Sequence, residues 1–210
     1  MSDYTISVDA GNGGTNAVKA TPKGWRSIYF PSVRATATGE TLGLGDQFEL
    51  QYDWCDWGSH RYVWGDTALE VSRRGIERHQ GSFRYGDEFH QFLVNVGVGQ
   101  LGIKSGSIDL TLFAPPGMFV EARETIEARF TKNDGKFAIK FKEDDAPRVW
   151  HIESVRVLPE GIGAAACFAI DDLGQPVPDN DILTGQTVIL DMGMYTLDAL
   201  QMQDGNFNPE

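Results

Sequence analysis

The chain has 210 residues, 41% of them hydrophobic, enough for one large domain with a buried core. Its formal charge of −12 argues against direct binding of nucleic acid, which needs a basic surface to displace counterions, and against adhesion to anionic membranes. The plain meaning of that acidity is solubility.

In chain order, Tyr4 to Ala10 alternates and is rich in β-formers, so it predicts a strand. Thr15 to Ala20 predicts a second strand, "TPKG" (Thr21 to Gly24) a turn, and Trp25 to Phe30 a third strand ended by "FPS". The chain thus opens as a three-stranded antiparallel meander. Arg34 to Gln51 is rich in Thr and Gly and reads as a loop. Arg61 to Arg74 predicts a short strand, a turn at Gly65–Asp66 and a helix capped by Asp66. Gly86 to Gly102 has Phe89, Phe92, Leu93, Val96 and Leu101 near helical spacing, with Gly97 and Gly99 weakening its end. Ser107 to Pro116 reads as a buried strand stopped by Pro-Pro, and Phe119 to Phe130 as an amphipathic helix. Gly135 to Lys142 and His151 to Pro159 alternate as strands, and Glu160 to Ile170 is a small-residue helix. Asp171 to Asp181 is polar and Pro-bearing, the best boundary, dividing the chain into 1–172 and 173–210. Beyond it "QTVILDMGMYTLDALQMQDG" predicts two strands around an Asp-Met-Gly turn. The fold class is α/β with a mixed sheet.

Cys55 and Cys167 lie far apart in no CxxC spacing, so neither a zinc site nor a disulfide framework is indicated, and isolated thiols suit a reducing cytoplasm. The N-terminus has no basic n-region and no apolar h-region, so no signal peptide is expected. No run approaches the roughly 18 apolar residues of a membrane span. His60, His79, His90 and His151 have no metal-ligand spacing, and "SRRGIERH" (Ser72 to His79) reads as a solvated basic face. Tyr52, Trp54, Trp57 and Trp64 cluster as either local core or an exposed assembly patch.

"VDAGNGGTNAVKA", from Val8, sets a leading acid before a glycine-dense turn. A dinucleotide fingerprint would need a third glycine where Asn16 stands, and a helix after it rather than a strand. A P-loop is absent. The segment is therefore a hairpin loop, with Asp9 at the strand end and the amides of Gly11 to Thr15 free to face an anion. Glycines allow positive φ and close approach by phosphate. An aspartate beside phosphate is repulsive unless a cation lies between, which implies Mg²⁺ bound through water. "VILDMGMYTLDAL" repeats the device with Asp191, Gly193, Thr196 and Asp198. Two such hairpins facing each other would grip a triphosphate and its metal.

This pair resembles the two phosphate loops of the actin, heat-shock chaperone and sugar-kinase ATPase superfamily. "FPSV", "YVWGDTAL", "LFAPPGMF" and "VRVLPEGIGAAA" are similar to prokaryotic actin-like proteins of the plasmid-segregation (ParM) type, over almost the whole chain. The resemblance implies an actin-like, ribonuclease H-like lobe with a mixed five-stranded sheet and flanking helices, then the opening β-hairpin of a second lobe. It implies ATP, with Mg²⁺ held through water by Asp9 and Asp191. It gives Gly11, Asn12, Gly13, Gly14, Thr15 and Asn16 to the phosphates on one side, and Gly193 and Thr196 on the other. Glu160 falls where the family orients the attacking water; as a bare residue it is equally a helix N-terminal acid. Lys19 is the nearest match to the family's phosphate-contacting lysine, at a longer spacing. Most of the second lobe lies beyond the last residues, so the chain reads as the N-terminal part of a longer ATPase, inactive alone.

The implied function is an ATPase that polymerises into filaments for plasmid segregation or cytoskeletal positioning, reaching DNA through an adaptor protein. The alternatives are a metabolic kinase of the same superfamily and a non-catalytic actin-like scaffold.

Overall fold

The structure is a computed structural model describing residues 2–37, 52–71, 75–79, 84–171, 175–178, 180–194 and 196–207. Its opening meander is β1 (Tyr4–Ala10), β2 (Gly14–Thr21) and β3 (Gly24–Pro31), antiparallel throughout. Ile6, Val8 and Ala10 alternate inward on β1, as the period of two requires. Two long strands, β8 (Ser105–Ala114) and β10 (Arg148–Pro159), lie parallel beside it, β8 on β1 and β10 on β8. The order β3-β2-β1-β8-β10 makes the five-stranded centre of the lobe. β9 (Lys136–Phe141) extends it antiparallel to β10.

Four short strands continue that sheet, β4 (Arg34–Thr36), β5 (Cys55–Trp57), β6 (His60–Trp64) and β7 (Ile76–Glu77). One of them, β6, is the short strand the sequence predicts before Gly65, and the others fall where it predicts loop or nothing regular. β5 joins β9, and the order runs β9-β5-β6-β4-β7. The predicted loop at Arg34 is thus a strand at its start; residues 38–51 of that prediction lie outside the described residues, as do residues 72–74 of the basic run. Helix α1 (Gly65–Val71) begins one residue early, so Asp66 sits in its first turn rather than as its cap. The tryptophans pack as core. Trp54 and Trp64 are buried, and Trp57 meets Phe92 edge-on with centroids 6.3 Å apart. The Arg61 guanidinium covers the Trp54 ring at 3.6 Å. These indoles form no exposed assembly patch.

Helix α2 (Glu88–Gln100) runs buried along β1 and β2, from Phe89 to Gly99 without an exposed face. Asp87 caps it, its carboxylate accepting from the His90 amide at 2.7 Å. Gly97 and Gly99 are needed for that closeness: a Cβ would stand 3.2 Å from Ala17 Cβ and 2.3 Å from the Phe141 ring. Helix α3 (Phe119–Thr131) buries Ala122, Ile126 and Phe130, spaced by four, against β10 and β8. Helix α4 (Ile162–Ala169) leads away from the large sheet. After it, β11 (Gln186–Met192), β12 (Leu197–Gln203) and β13 (Asn206–Phe207) form a separate three-stranded antiparallel sheet. Leu200 and Met202 on its inner face pack with Ala165 of α4. The ring of Phe119 meets Phe207 edge-on at 5.5 Å across the seam between the two sheets.

Candidate functional site

Four chain turns converge on one cleft of about 320 Å³. The β1–β2 turn brings Asp9, Gly11, Asn12, Gly13, Gly14 and Asn16; the β11–β12 turn brings Asp191, Gly193, Thr196 and Asp198. The β10–α4 turn supplies Glu160, and the residues before α2 supply Arg84 and Tyr85. A second hollow, about 300 Å³, shares Asp9, Glu160 and Asp191 and runs on past Gly163 and Ala164.

Local folding fixes each group. β10 ends at Pro159, and the Glu160 amide donates to the Ala114 carbonyl at 2.8 Å, tying it to the end of β8. Gly161 follows at φ +87°, a conformation that favours glycine, and turns the chain into α4. Glu160 is therefore held at a strand-to-helix turn, and Tyr85 donates its hydroxyl to Glu160 Oε1 at 3.1 Å. In the small sheet Asp191 and Asp198 stand directly opposite each other across the ladder. Like charges so placed repel.

The loop glycines answer a different need from the expected one. Gly11, Gly13, Gly14 and Gly193 are not among the positive-φ residues. What they permit is close packing. A Cβ on Gly13 would stand 2.7 Å from Met194 Cβ of the opposite hairpin, and one on Gly14 would stand 2.3 Å from the Tyr29 ring. The two hairpins thus touch. Outside the strand ladders, no hydrogen bond among the described residues takes the Gly11, Asn12 or Gly13 amides. Asn12 Oδ1 is buried with no partner among the described residues.

The electrostatics are those of a cleft short of positive charge. Burial pushes the Asp9 carboxyl up to about 6, with Arg84 opposing and Asp191 adding to the shift. Burial and then Asp9 push Glu160 up to about 7, against the Tyr85 hydrogen bond and Arg84, while Asp198 adds to the shift. Four carboxylates and one guanidinium line the cleft. That donor set of hard oxygens suits a hydrated divalent cation. Among the described residues no three His, Cys, Asp or Glu side chains converge closely enough to hold a metal ion directly.

Of the sequence candidates, Asp9, Gly11, Asn12, Gly13, Gly14, Asn16, Glu160, Asp191, Gly193 and Thr196 meet in this cleft. Two do not. The Thr15 side chain is fully buried on the other face of β2, its hydroxyl 2.9 Å from that of Ser32. Lys19 lies four residues further along β2, donates to the Leu101 carbonyl at 3.0 Å and sits over the Tyr4 ring. It faces the far end of α2 and does not line this cleft. Sequence reasoning missed Arg84, Tyr85 and the cleft role of Asp198. Asp198 carried a signal, since it mirrors Asn16 across its turn. "FRYGDEF" carried none.

A family model for the N-terminal domain of actin-like proteins matches residues 7–163. Among solved structures, the apo pSK41 ParM protein superposes with a TM-score of 0.77 at 14% identity, over 98% of this chain and 63% of that one. An archaeal actin homolog, Ta0583, gives 0.75 at 20% identity, over 98% and 59%. An AlfA filament bound to AMPPNP gives 0.66 at 18% identity, over 97% and 66%. At these identities the likeness is one of fold. The chain spans less than two thirds of the length of each of these structures. No curated protein matches it by sequence.

Proposed function

The chain belongs to the family of actin-like protein N-terminal domains, and from that premise we propose that it is the nucleotide-binding first lobe of an ATP-dependent, filament-forming ATPase. The observation that carries this reading is the meeting of the two Asp-Gly hairpins, with Glu160 between them, in one cleft. Residues 1–172 form the first lobe in this reading, and 173–210 the linker and opening strands of a second. The large sheet ending at Pro159 and the small sheet beginning at Gln186 support that division.

In the proposed complex, the Gly11 to Gly14 backbone and the Gly193–Thr196 turn bracket the phosphates of ATP. Asp9 and Asp191 hold the water shell of Mg²⁺. Bound Mg²⁺ would neutralise charge on the phosphates. Ionised Glu160 accepts a hydrogen bond from the attacking water and fixes its direction, while Tyr85 holds the carboxylate. The AlfA filament with AMPPNP supports both nucleotide and self-association as the working partners. Plasmid segregation through a DNA-binding adaptor, in the cytoplasm, is the cellular role this reading favours.

The test is calorimetric titration of the full-length protein, second lobe included, with ATP, with and without Mg²⁺, followed by light scattering. Mg²⁺-dependent binding that Asp191→Ala weakens about tenfold or more supports the reading. Absence of any ATP binding overturns it. Turnover appearing only with added sugars would move the assignment to a kinase.

A further inference from the structure

The cleft has four carboxylates and must still receive a polyanion. Hydrated Mg²⁺ would offset part of that charge. The lysine expected to contribute is elsewhere, committed to the Leu101 carbonyl. Among the described residues lining the cleft, one cation remains, Arg84.

Arg84 is placed unlike an ordinary arginine. It is 3% exposed, where arginines are seldom so buried unless paired. No carboxylate bridges it among the described residues. Its Nη2 donates to the Tyr85 hydroxyl at 3.0 Å, and its guanidinium lies 4.5 Å from the Tyr85 ring centroid. Its Nε is buried with no hydrogen-bond partner among the described residues. A buried, charged donor without an acceptor is costly unless something supplies the acceptor. Asn12 Oδ1, in the same cleft, is likewise orphaned. The unpaired guanidinium nitrogen calls for an acceptor and the unpaired amide oxygen for a donor, so a hydrated anion would meet both. A planar guanidinium with unspent donors is suited to phosphate oxygens. Its distance from the chemistry is short in bonding steps, because the Tyr85 hydroxyl it donates to is itself the donor to Glu160.

We propose that Arg84 is the cationic contact for the terminal phosphoryl group of a bound nucleoside triphosphate, taking the part the sequence assigns to Lys19. This rests on the nucleotide reading above and deepens it. The arginine enters from the segment before α2, on the Glu160 side of the cleft, rather than from the strand after the first loop. It therefore distinguishes triphosphate from diphosphate, a task separate from holding the nucleotide as a whole. Arg84 also ties that recognition to Glu160 through Tyr85.

The experiment is equilibrium binding of ATP and of ADP, each with Mg²⁺, to the full-length protein, second lobe included, and to its Arg84→Gln, Arg84→Lys and Lys19→Ala variants, with circular dichroism on each variant. Arg84→Gln keeps a donor for the Tyr85 hydroxyl and removes the charge. The expected result is a fall of about 10- to 100-fold in ATP affinity with ADP affinity little changed, the size of one lost charge-assisted bond. Arg84→Lys should restore part of the preference, and Lys19→Ala should leave it intact. If the parent chain binds ATP and Arg84→Gln keeps its preference over ADP, Arg84 is not the contact and the nucleotide reading stands. If Arg84→Gln does not fold, Arg84→Met decides: a preference for ATP equal to the parent's overturns the contact. Should the parent bind neither nucleotide, the functional reading falls, and this proposal with it.

Discussion

Burial of Glu160 favours its neutral form, whereas the proposed role of orienting a water would need its carboxylate. Its pKa of about 7 in the fold lies above the ordinary glutamate value of 4.5. The folded chain therefore holds a proton that the unfolded chain gives up between those values. The stabilising contribution is full below about pH 4.5 and is lost as pH rises through about 7. In metal-free buffer, Glu160→Gln should flatten the fall in melting temperature between pH 5 and 8. At pH 8 it should raise stability by on the order of 2–3 kcal/mol, read by thermal denaturation. A variant that melts in parallel with the parent at both pH values would refute this. Tyr85→Phe removes a donor that favours the carboxylate, so the Glu160 pKa should climb and the titration midpoint of stability should move to higher pH. At this scale the sequence revealed what is local. Asp9 and Asp191 announce themselves because each precedes its own glycine turn. Arg84 does not, because its burial depends on where the start of α2 docks. Lys19 misled because counting residues along a strand gives a distance but not which neighbour a long side chain will reach.

Two glycines in helices show how packing reverses a propensity. In α2, Gly99→Ala gains helix propensity of about 1 kcal/mol but drives a methyl to 2.3 Å from the Phe141 ring. Overpacking of this kind costs about 1–3 kcal/mol, so the net should be destabilising by chemical denaturation. In α4, a Cβ on Gly163 would meet nothing within 4 Å. Gly163→Ala should therefore stabilise by roughly 0.5–1 kcal/mol. Equal signs for the two would show that α2 relaxes away from the sheet. Long elements were legible for a reason that short ones lack. β1, β8 and β10 carry several alternations each, and α3 spaces its buried residues by four. β4 and β5 have three residues apiece, too few to show a period; the partners of β4, β6 and β7, and the second partner of β5, β9, lie far off in the chain, and only the β5–β6 hairpin is local. Nothing local could declare them strands. The buried Arg34 is an example of what replaces pattern there. It pairs with Glu77 of β7 at 2.6 Å and Glu88 of α2 at 3.1 Å, joining the far end of the sheet to the helix.

Across the whole molecule, the small sheet has one covered face and one bare. Leu200 and Met202 pack inward, while Val188, Leu190, Met192 and Leu197 are 60–84% exposed on the other side. Register places Met192 opposite Leu197, so the exposed side chains form one patch. The isolated chain should bind a hydrophobic dye and associate with rising concentration in analytical ultracentrifugation. The pair Val188→Lys and Leu190→Lys should suppress both; unchanged association would place the contact elsewhere. The two sheets share no ladder, and they meet instead through side chains such as Phe119 on Phe207, the Gly13–Met194 approach, and α4. Glu160 and Gly161 are consecutive, one tied to the end of β8 and the other 3.6 Å in Cβ reach from Leu200 of the small sheet. In the proposed reading, a change at the Glu160 carboxylate would reach the joint between the sheets through the main chain of these two residues. Were a nucleotide to occupy the cleft as proposed, its presence would be felt at that joint through the main chain.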